Sequence, residues 1–380
     1  MPKKSILPDE PNGSKVHAVS KFTLQEIMRQ PVLWPITVET VTFASKRLQS
    51  KVKLWNARVL LTGAGSSAYA ASAIAAAWPH ATAVASTDLV VDPERYLLDV
   101  DAVISIARSG DSPESTAVVD RIRSLRHEIL QLAIVCNRDG ALSQLGLDGL
   151  IVLDKRTDDQ SVVMTSAFSN LVLAGLVLGY PEVVASELER LSQRAAALLP
   201  EIDRACLRVG NRVRDRLVVL SSSPSLGWAR EAGLKALEMT AGQFSVVTET
   251  YLGLRHGPMS FVKPDTVVLC LLSSDPVRRL YEEDLIHELR SKRIGYLVGI
   301  ADPAEADGLF DEIIPAVAPR LNDVLRTPFE SAAPQLLGYH LSLRIGLDPD
   351  SPSPNGIINR VVQGVRIYPA HSPAAEPSGR

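Results

Sequence analysis

Residues 59–67 of this chain read VLLTGAGSS, and an alanine-rich stretch, AYAASAIAAAW, follows directly at residues 68–78. The apolar start, with its β-branched residues, is typical of a buried strand, and the alanines after it favour a helix. Gly63 and Gly65 allow the backbone to turn tightly between the two and to come close to a ligand. Strand, glycine turn and helix in this order predict the first unit of an α/β sheet.

The same alternation of short apolar runs and longer amphipathic runs continues along the chain. Further strands are predicted at residues 83–86, 102–107, 131–136 and 150–153, and helices at residues 68–78, 113–126 and 165–178. After a charged helical stretch at residues 187–216 the alternation restarts, with strands at residues 217–221, 244–248, 266–272, 295–300 and 313–315. This order implies right-handed βαβ units and parallel sheets covered on both faces.

The second series resembles the first, which predicts an internal duplication. Residues 59–66 recur loosely as residues 218–225, and residues 103–111 recur as residues 267–275. We therefore predict an α/β fold of two duplicated halves, each a doubly wound, five-stranded parallel sheet flanked by helices. The predicted divisions are a flexible tail and helical leader at residues 1–50, the two halves at residues 51–205 and 206–347, and an extended C-terminal tail closing over the site at residues 348–380.

The leader contains a helix start and two prolines. Thr23 and Glu26 have the spacing of a capping box, in which two side chains satisfy backbone N–H groups at the start of a helix. Pro31 and Pro35 are expected to interrupt this helix, because proline cannot donate a helical hydrogen bond. A longer helix is then predicted over residues 35–52.

The composition excludes several classes of protein. The 380 residues carry 40 Lys plus Arg and 43 Asp plus Glu, a net charge of −3, with no basic surplus for a nucleic acid. No apolar run reaches the roughly 20 residues of a membrane span, and the charged N-terminus lacks the apolar core of a signal peptide. Three scattered cysteines, Cys136, Cys206 and Cys270, indicate buried thiols rather than a disulfide framework. We expect a cytoplasmic protein.

Two hydroxyl-rich loops are candidates for binding an anion. In the first, Ser66 and Ser67 stand at the start of a predicted helix, where unpaired backbone N–H groups attract a phosphate. A plain strand–helix turn with serine caps explains the same residues. Ala68 stands where a dinucleotide fingerprint has its third glycine, and because the fingerprint tolerates alanine there, a nucleotide ligand stays open.

The second loop, ARSGDSPES at residues 107–115, follows another predicted strand. Ser112 can cap the helix that begins at Pro113. The loop still holds more anion-binding groups than a turn needs, namely Arg108, Ser109, Ser112 and Ser115. Both loops are expected at the carboxyl edge of the sheet, where α/β proteins bind ligands. The equivalent loops of the second half keep serines but lose the glycines, so the phosphate is expected in the first half.

The second half carries a different set of groups. Lys235 and Glu238 lie three residues apart on a predicted helix at residues 231–242, so they project from one face, as in a surface ion pair or in a site. His256 precedes Gly-Pro in a predicted loop, and a carboxylate with an imidazole suits proton transfer at neutral pH. A lone loop histidine is also often structural. The other histidines lack HxH or HExxH spacing, so no metal site is expected.

In this order the motifs resemble the sugar isomerase (SIS) domain family. They are residues 63–67 (GAGSS), 108–112 (RSGDS), 136–137 (CN), 164–168 (MTSAF), 234–238 (LKALE) and 255–258 (RHGP). Within that family the chain is most similar to the tagatose-6-phosphate ketose/aldose isomerase group, which includes galactosamine-6-phosphate deaminases. The leader EIMRQPVLW at residues 26–34 and the tail PNGIINRVVQGV at residues 354–365 carry this finer likeness.

The resemblance implies a set of residues that bind the substrate. Hydroxyl groups would hold the phosphate, two glycines would let the backbone approach it, and a stretch at the start of the predicted helix at residues 165–178 would contact the sugar. These residues are Ser66, Ser67, Ser109 and Ser112 for the phosphate, Gly65 and Gly110 for the approach, and Thr165 and Ser166 for the sugar. Arg108 either adds a charge-assisted contact to the phosphate or lies outside the site.

The resemblance also implies catalytic roles. Glu238 would move a proton between C1 and C2 of the sugar, and Lys235 would support the site beside it. His256 would open the sugar ring, supplied in relatives by the neighbouring subunit, which implies a homodimer or higher homo-oligomer. Synthase-type relatives have a lysine where Gln363 stands here, and glutamine cannot form a Schiff base. Gln363 or Arg360 is then expected to bind sugar hydroxyls.

The function implied is that of an enzyme whose partner is a small phosphosugar. It would deaminate and isomerise an amino-sugar 6-phosphate, namely galactosamine 6-phosphate, to tagatose 6-phosphate and ammonia. One alternative is ketose/aldose isomerisation of a neutral phosphosugar. A further alternative is a non-catalytic phosphosugar-binding regulator, although the leader does not resemble a DNA-binding domain. No cofactor, nucleic acid or membrane is implied.

Overall fold

The computed structural model describes residues 20–48, 54–353 and 355–369. Within these residues two parallel sheets of five strands each carry the fold. The predicted N-terminal flexible tail and the predicted end of the leader helix at residue 52 lie outside the described residues.

The first half follows a leader of two helices, α1 and α2, and contains the first sheet. The leader helices are α1 Thr23–Met28 and α2 Gln30–Leu48. The strands are β1 Val59–Gly63, β2 Ala81–Ala85, β3 Ala102–Ala107, β4 Leu130–Val135 and β5 Gly149–Val152. The helices are α3 Ser66–Ala75, α4 Ser86–Val91, α5 Pro93–Tyr96, α6 Pro113–Leu125, α7 Ser166–Gly179 and α8 Pro181–Gly210.

The second half contains the second sheet. The strands are β6 Arg216–Ser221, β7 Ser245–Thr250, β8 Val267–Leu271, β9 Tyr296–Ala301 and β10 Glu312–Pro315. The helices are α9 Leu226–Met239, α10 Tyr251–Leu254, α11 Pro276–Lys292, α12 Asp323–Glu330 and α13 Ala332–Arg344. Short 3-10 turns lie at Leu54–Asn56, Ala141–Gln144, Lys155–Thr157, Ser223–Ser225 and Pro258–Phe261.

The strand order confirms the duplicated α/β fold. The first sheet has the order β2-β1-β3-β4-β5, and the second, read from its other edge, has the equivalent order β7-β6-β8-β9-β10. All ten predicted strands are present, with ends shifted by two residues or fewer. β1, β3, β6 and β8 are buried along nearly all their length, because helices cover both faces of each sheet.

Several predicted helix limits are wrong. The charged helix runs over Pro181–Gly210 instead of residues 187–216, because proline fits its first turn and the chain must leave the helix before β6. The helix predicted at residues 231–242 begins five residues earlier, at Leu226. The domain boundaries stay a prediction, and the one between residues 205 and 206 falls inside α8. No helix that the structure describes is both long and apolar enough to cross a membrane.

The leader helices break at a different place from the one predicted. The break falls between Met28 and Gln30, and Pro31 lies in the first turn of α2, which tolerates proline. Pro35 lies inside α2 instead of interrupting it.

The predicted capping box is also wrong, because both of its side chains have distant partners. Thr23 donates its N–H and its hydroxyl to the carboxylate of Asp350 at 2.8 and 2.7 Å. Glu26 is buried and accepts the N–H of Gln160 at 2.5 Å. These contacts tie α1 to the chain before α7 and to the start of the C-terminal tail. Cys136, Cys206 and Cys270 are buried free thiols, as predicted.

The two halves share one large apolar cluster, in which α3 of the first half packs against α9 of the second. Gly227 lies in the first turn of α9, where a Cβ atom would stand 2.9 Å from the backbone N of Ala73 and 2.9 Å from the backbone O of Tyr69. Only glycine allows so close an approach. The contact brings α9, with Lys235 and Glu238, to the carboxyl end of the first sheet.

We expect Gly227→Ala to lower the free energy of unfolding by about 1–3 kcal/mol, because the added methyl group meets backbone atoms of α3 that cannot move aside. Gly210→Ala is the matched control, since a Cβ atom there meets the Cβ atom of His340 at 3.5 Å, an ordinary contact. Urea unfolding measures both. Equal effects of the two substitutions would contradict this account of the α3–α9 packing.

Candidate active site

A cavity of about 180 Å³ lies at the carboxyl end of the first sheet. Its walls come from the loops after β1 and β3, from the segment before α7, from α9 of the second half and from the C-terminal tail. The lining residues are Ala64, Gly65, Ser66, Ser67, Ile106, Ala107, Arg108, Ser109, Gly110, Ser112, Ser115, Val162, Met164, Glu238, Asn359, Arg360, Val361 and Val362. Larger cavities of about 530 and 740 Å³ lie beside α6 and beside α2, but neither joins these two loops to α9.

The loop after β1 places two hydroxyl groups at the cavity. Gly65 has φ +55°, a left-handed conformation that glycine adopts without strain, and it precedes the first residue of α3. Ser66 Oγ accepts a hydrogen bond from Lys235 Nζ at 2.9 Å. Ser67 Oγ lies 3.9 Å from Met164 Sδ. Neither serine caps the helix, so the interpretation as a plain turn with serine caps is wrong.

The loop after β3 adds two further hydroxyl groups. Gly110 has φ +74°, and Ser109 Oγ accepts the N–H of Asp111 at 3.2 Å. Ser112 precedes α6, but its hydroxyl pairs with the hydroxyl of Ser115 at 2.7 Å and makes no capping bond, so the predicted cap is wrong. The N-termini of α3 and α6 therefore meet at this cavity with serine hydroxyls around it, an arrangement that favours an anion.

Arg108 holds the C-terminal tail against the cavity. Its buried guanidinium donates to the carbonyl groups of Ser161 and Val162 at 3.0 and 3.1 Å, and to the carbonyl of Arg360 at 2.9 Å. Burial lowers the pKa of this guanidinium. Arg108 was expected either to contact a phosphate or to lie outside the site. It lines the cavity, but its hydrogen bonds go to backbone carbonyls, so neither expectation fits fully.

Lys235 connects the two halves at the site. Its side chain is completely buried, and Nζ lies 2.7 Å from Glu238 Oε2 and 3.1 Å from Glu231 Oε1. With the bond to Ser66 these acceptors compensate a charge that could not otherwise stay inside the protein. The surface ion pair is therefore the wrong interpretation of this spacing. Glu238, by contrast, keeps 27% of its side chain exposed and lines the cavity.

Glu231 is a site residue that the sequence analysis did not single out. Burial raises the pKa of Glu231 to about 7, Lys235 opposes this shift, and Glu238 adds to it. Burial alone would lower the pKa of Lys235, but the two carboxylates raise it above its usual value. The signal was present in the sequence, since Glu231 lies four residues before Lys235 on the same helix face.

The structure does not bring His256 to the cavity of its own chain. His256 is exposed in the loop after α10, where its backbone N–H donates to the carbonyl of Gly253 at 2.9 Å. It is not among the residues that line the cavity. In the described part of the chain, no three His, Cys, Asp or Glu side chains converge in a way that could hold a metal ion.

Thr165 and Ser166 also lie away from the cavity. Both are fully buried, and their partner is the carboxylate of Asp159, which accepts the N–H of Thr165 at 2.7 Å and the hydroxyl of Ser166. Asp159 also accepts the N–H of Ala167 at 2.9 Å and so holds the start of α7. Val162 and Met164 line the cavity in their place.

The tail contributes Arg360 but not Gln363. Arg360 lines the cavity, and its guanidinium pairs with the carboxylate of Asp158. Gln363 is exposed and is not among the lining residues. Of the two tail residues considered as sugar ligands, only Arg360 lines the cavity of its own chain.

Known proteins resemble this chain over nearly its whole length. No protein-family model matches it. The D-galactosamine-6-phosphate deaminase AgaS of Shewanella sp. is 36% identical over 369 residues, which cover 92% of each chain. The protein of the same name from Escherichia coli is 34% identical and covers 93% of this chain and 97% of the relative.

Solved structures also resemble this chain over most of its length. The crystal structure of tagatose-6-phosphate ketose/aldose isomerase from Escherichia coli superposes with a TM-score of 0.81 at 30% identity, covering 94% of this chain and 99% of the other. The C-terminal domain of glucosamine-fructose-6-phosphate aminotransferase from Francisella tularensis, at 19% identity and a TM-score of 0.70, shares the fold.

We expect the protonation of Glu231 to make stability depend on pH. The pKa of Glu231 is about 7 in the folded chain and near 4.5 when the chain is unfolded, so the unfolded chain loses this proton first as the pH rises. The carboxyl therefore stabilises the fold less and less between these two values. Glu231→Gln has no such carboxyl and does not lose this stability. The free energy of unfolding of the variant minus that of the wild type should therefore increase as the pH rises from 4.5 to about 7.

Urea unfolding at a series of pH values between 4.5 and 8 measures this difference. Glu201→Gln, an exposed position on α8, is the matched control for the exchange of a carboxyl for an amide. A flat difference for Glu231→Gln would show that its carboxyl does not hold a proton in the folded chain.

Proposed function

This chain belongs to the SIS-domain family of galactosamine-6-phosphate deaminases and tagatose-6-phosphate ketose/aldose isomerases, and from that premise we propose that it deaminates and isomerises galactosamine 6-phosphate. The products are tagatose 6-phosphate and ammonia, and water is consumed. The observation that carries the proposal is the position of Glu238, a carboxylate from the second half, at a cavity that the hydroxyl-rich loops of the first half surround.

The phosphate is bound by the first half. Its oxygens accept hydrogen bonds from the hydroxyl groups of Ser66, Ser67, Ser109 and Ser112, which all line the cavity. Gly65 and Gly110 have the positive φ values that turn the loop backbones at this edge. The N-termini of α3 and α6 add favourable partial charge, so the binding needs no overall basic charge on the protein. Arg360 contacts the sugar from the tail.

Proton transfer is the task of Glu238. Once the ring is open, C1 is an aldehyde and C2 carries the amine. Glu238 removes the proton from C2, a C1=C2 double bond forms, and the aldehyde oxygen takes up a proton. A proton is then returned to C1, which leaves a C2=N imine, and water attacks C2 to release ammonia and form the ketone. Lys235 holds Glu238 at 2.7 Å, which keeps the base in position for both carbons.

Ring opening is the task of His256 from a second copy of the chain. Its exposed position, outside the cavity of its own chain, supports this assignment. The site is then complete only in a homodimer or a higher homo-oligomer. We place this enzyme in the cytoplasm, in agreement with its metabolic substrate.

The same proton transfer on a sugar with a hydroxyl at C2 would be ketose/aldose isomerisation, the activity in the name of the Escherichia coli structural neighbour. No imine would then form and no ammonia would be released. Ammonia and ketose assays on galactosamine 6-phosphate and on tagatose 6-phosphate separate the two activities. Binding of these sugars without turnover of either would instead indicate a regulator.

We expect Glu238→Gln to lower the rate of ammonia release by about a hundredfold or more, because the amide cannot accept the proton from C2. Binding should persist, since the phosphate loops are unchanged, and galactosamine 6-phosphate should still raise the melting temperature. Glu201→Gln is the control and should keep full activity. Full activity of Glu238→Gln would show that Glu238 is not the base.

A hybrid dimer tests the shared site. Glu238→Gln and His256→Ala chains, each inactive alone, are expressed together with different tags, and the hybrid is purified through both. If His256 acts on the neighbouring chain, one of the two sites is intact, and the hybrid should recover about half of the wild-type activity per dimer. If each histidine serves its own chain, every site in the hybrid is defective and the activity stays at the level of the parents.

A further inference from the structure

The second half has a pair of loops that correspond, by strand order, to the phosphate loops of the first half. β6 and β8 occupy the places of β1 and β3 in the equivalent sheet order. The loop after β6 contains Ser222, and the loop after β8 contains Ser273 and Ser274 just before α11. No described residue of these two loops has a positive φ, whereas Gly65 and Gly110 do in the first half.

The hydroxyl and backbone N–H groups of these second-half loops already donate to carboxylates of the same chain. Asp323, nearly fully buried at the start of α12, accepts the N–H of Ser274 at 2.9 Å and the hydroxyl groups of Ser273 and Ser274. Arg278 donates to the same carboxylate at 3.2 Å. Beside it, Glu282 accepts the N–H of Ser273 at 2.7 Å and the hydroxyl of Ser222.

This set of donors is the kind that binds an oxyanion. Two hydroxyl groups, a backbone N–H and a guanidinium converge on the oxygens of Asp323, and the same groups would satisfy two oxygens of a phosphate. The side chain of Arg278 is 41% exposed, so the group lies close to solvent. Arg326, buried next to it, lies 3.5 Å from Asp323 and 3.3 Å from Glu330, so Glu330 is a second carboxylate partner for this guanidinium.

We propose that the second half retains a latent oxyanion site, closed by the carboxylate of Asp323, which stands where a phosphate would bind. Because Asp323 accepts these hydrogen bonds, the donors in the loops of the second half are satisfied without a bound ligand. The chain therefore binds one phosphosugar, in the first half, although both halves have equivalent loops. Removal of the carboxylate leaves the donors without an acceptor and opens the site to inorganic phosphate.

The test compares Asp323→Ala with the wild type and with Asp275→Ala. Asp275 is the matched control, because it lies in the same loop as Ser273 and Ser274 and accepts the N–H groups of Val277 and Arg278 at 3.0 and 2.9 Å, but it does not accept from Ser273 or Ser274. Melting temperatures are measured over a series of inorganic phosphate concentrations, with chloride at equal ionic strength as the reference. Calorimetric titration gives the number of phosphates bound per chain.

We expect Asp323→Ala to bind one more phosphate per chain than either the wild type or Asp275→Ala. Each phosphate that binds the folded chain stabilises it further as the phosphate concentration rises. The melting temperature of Asp323→Ala should therefore increase more steeply with phosphate concentration than that of the wild type or Asp275→Ala. An unchanged stoichiometry with an unchanged slope would overturn the proposal. The readout is phosphate binding alone, so it does not depend on the catalytic function proposed for the first half.

If Asp323→Ala does not fold without an anion, refolding decides the question. The variant is diluted from urea into the same phosphate series, and the yield of folded chain is measured. A yield that increases with phosphate for Asp323→Ala, and not for Asp275→Ala, supports the latent site. A yield that does not depend on phosphate contradicts it.

Discussion

The site depends on one buried charge, the ammonium group of Lys235. A lysine with no exposed surface loses its hydration, at a cost of several kcal/mol, and stays charged only where acceptors surround it. Two acceptors, Glu231 and Glu238, come from its own helix, and the third, Ser66, comes from the other half of the chain. Because Lys235 needs all of them nearby, the pairing fixes the carboxylate of Glu238 relative to the first-half loop that carries Ser66.

The packing of the two halves makes this pairing possible. The close contact of α9 with α3 at Gly227 brings the second half against the loops at the carboxyl end of the first sheet. The duplication thus divides the work between two similar units. In the proposed mechanism the first supplies glycine turns and hydroxyl groups for a phosphate, and the second supplies a base. In the second half the corresponding loops bind the chain's own Asp323 instead, so the two units differ in what occupies equivalent loops.

Much of the fold followed from local patterns in the sequence. Buried parallel strands are short apolar runs, and all ten were predicted to within two residues because a single run defines each of them. Glu238 and the serines of the two loops, chosen from the sequence, line one cavity, and Lys235 contacts Ser66 and Glu238 beside it. The loops could be placed there because they end neighbouring parallel strands, while the roles of these residues stay predictions.

The differences from the predictions came from side-chain partners that a local pattern does not show. Thr23 matched a helix cap, but its partner is Asp350, 327 positions away. Ser166 matched a sugar-binding stretch, but within the chain its hydroxyl donates to the buried carboxylate of Asp159, seven positions before it. Arg108 was expected either to contact the phosphate or to lie outside the site, but its partners include the carbonyl of Arg360, 252 positions away. No local pattern in the sequence shows which acceptor such a side chain will meet in the folded protein.

The central claim is that Lys235 holds Glu238 so that it can carry a proton between C2 and C1. The most direct measurement uses galactosamine 6-phosphate labelled with deuterium at C2, and NMR follows the loss of this label from C2 for the wild type and for Lys235→Met. The account predicts that the wild type removes the deuterium from C2 at each turnover, to C1 of tagatose 6-phosphate or to the solvent, and that Lys235→Met removes it about a hundredfold more slowly. Removal of the label by Lys235→Met at the wild-type rate would contradict the account.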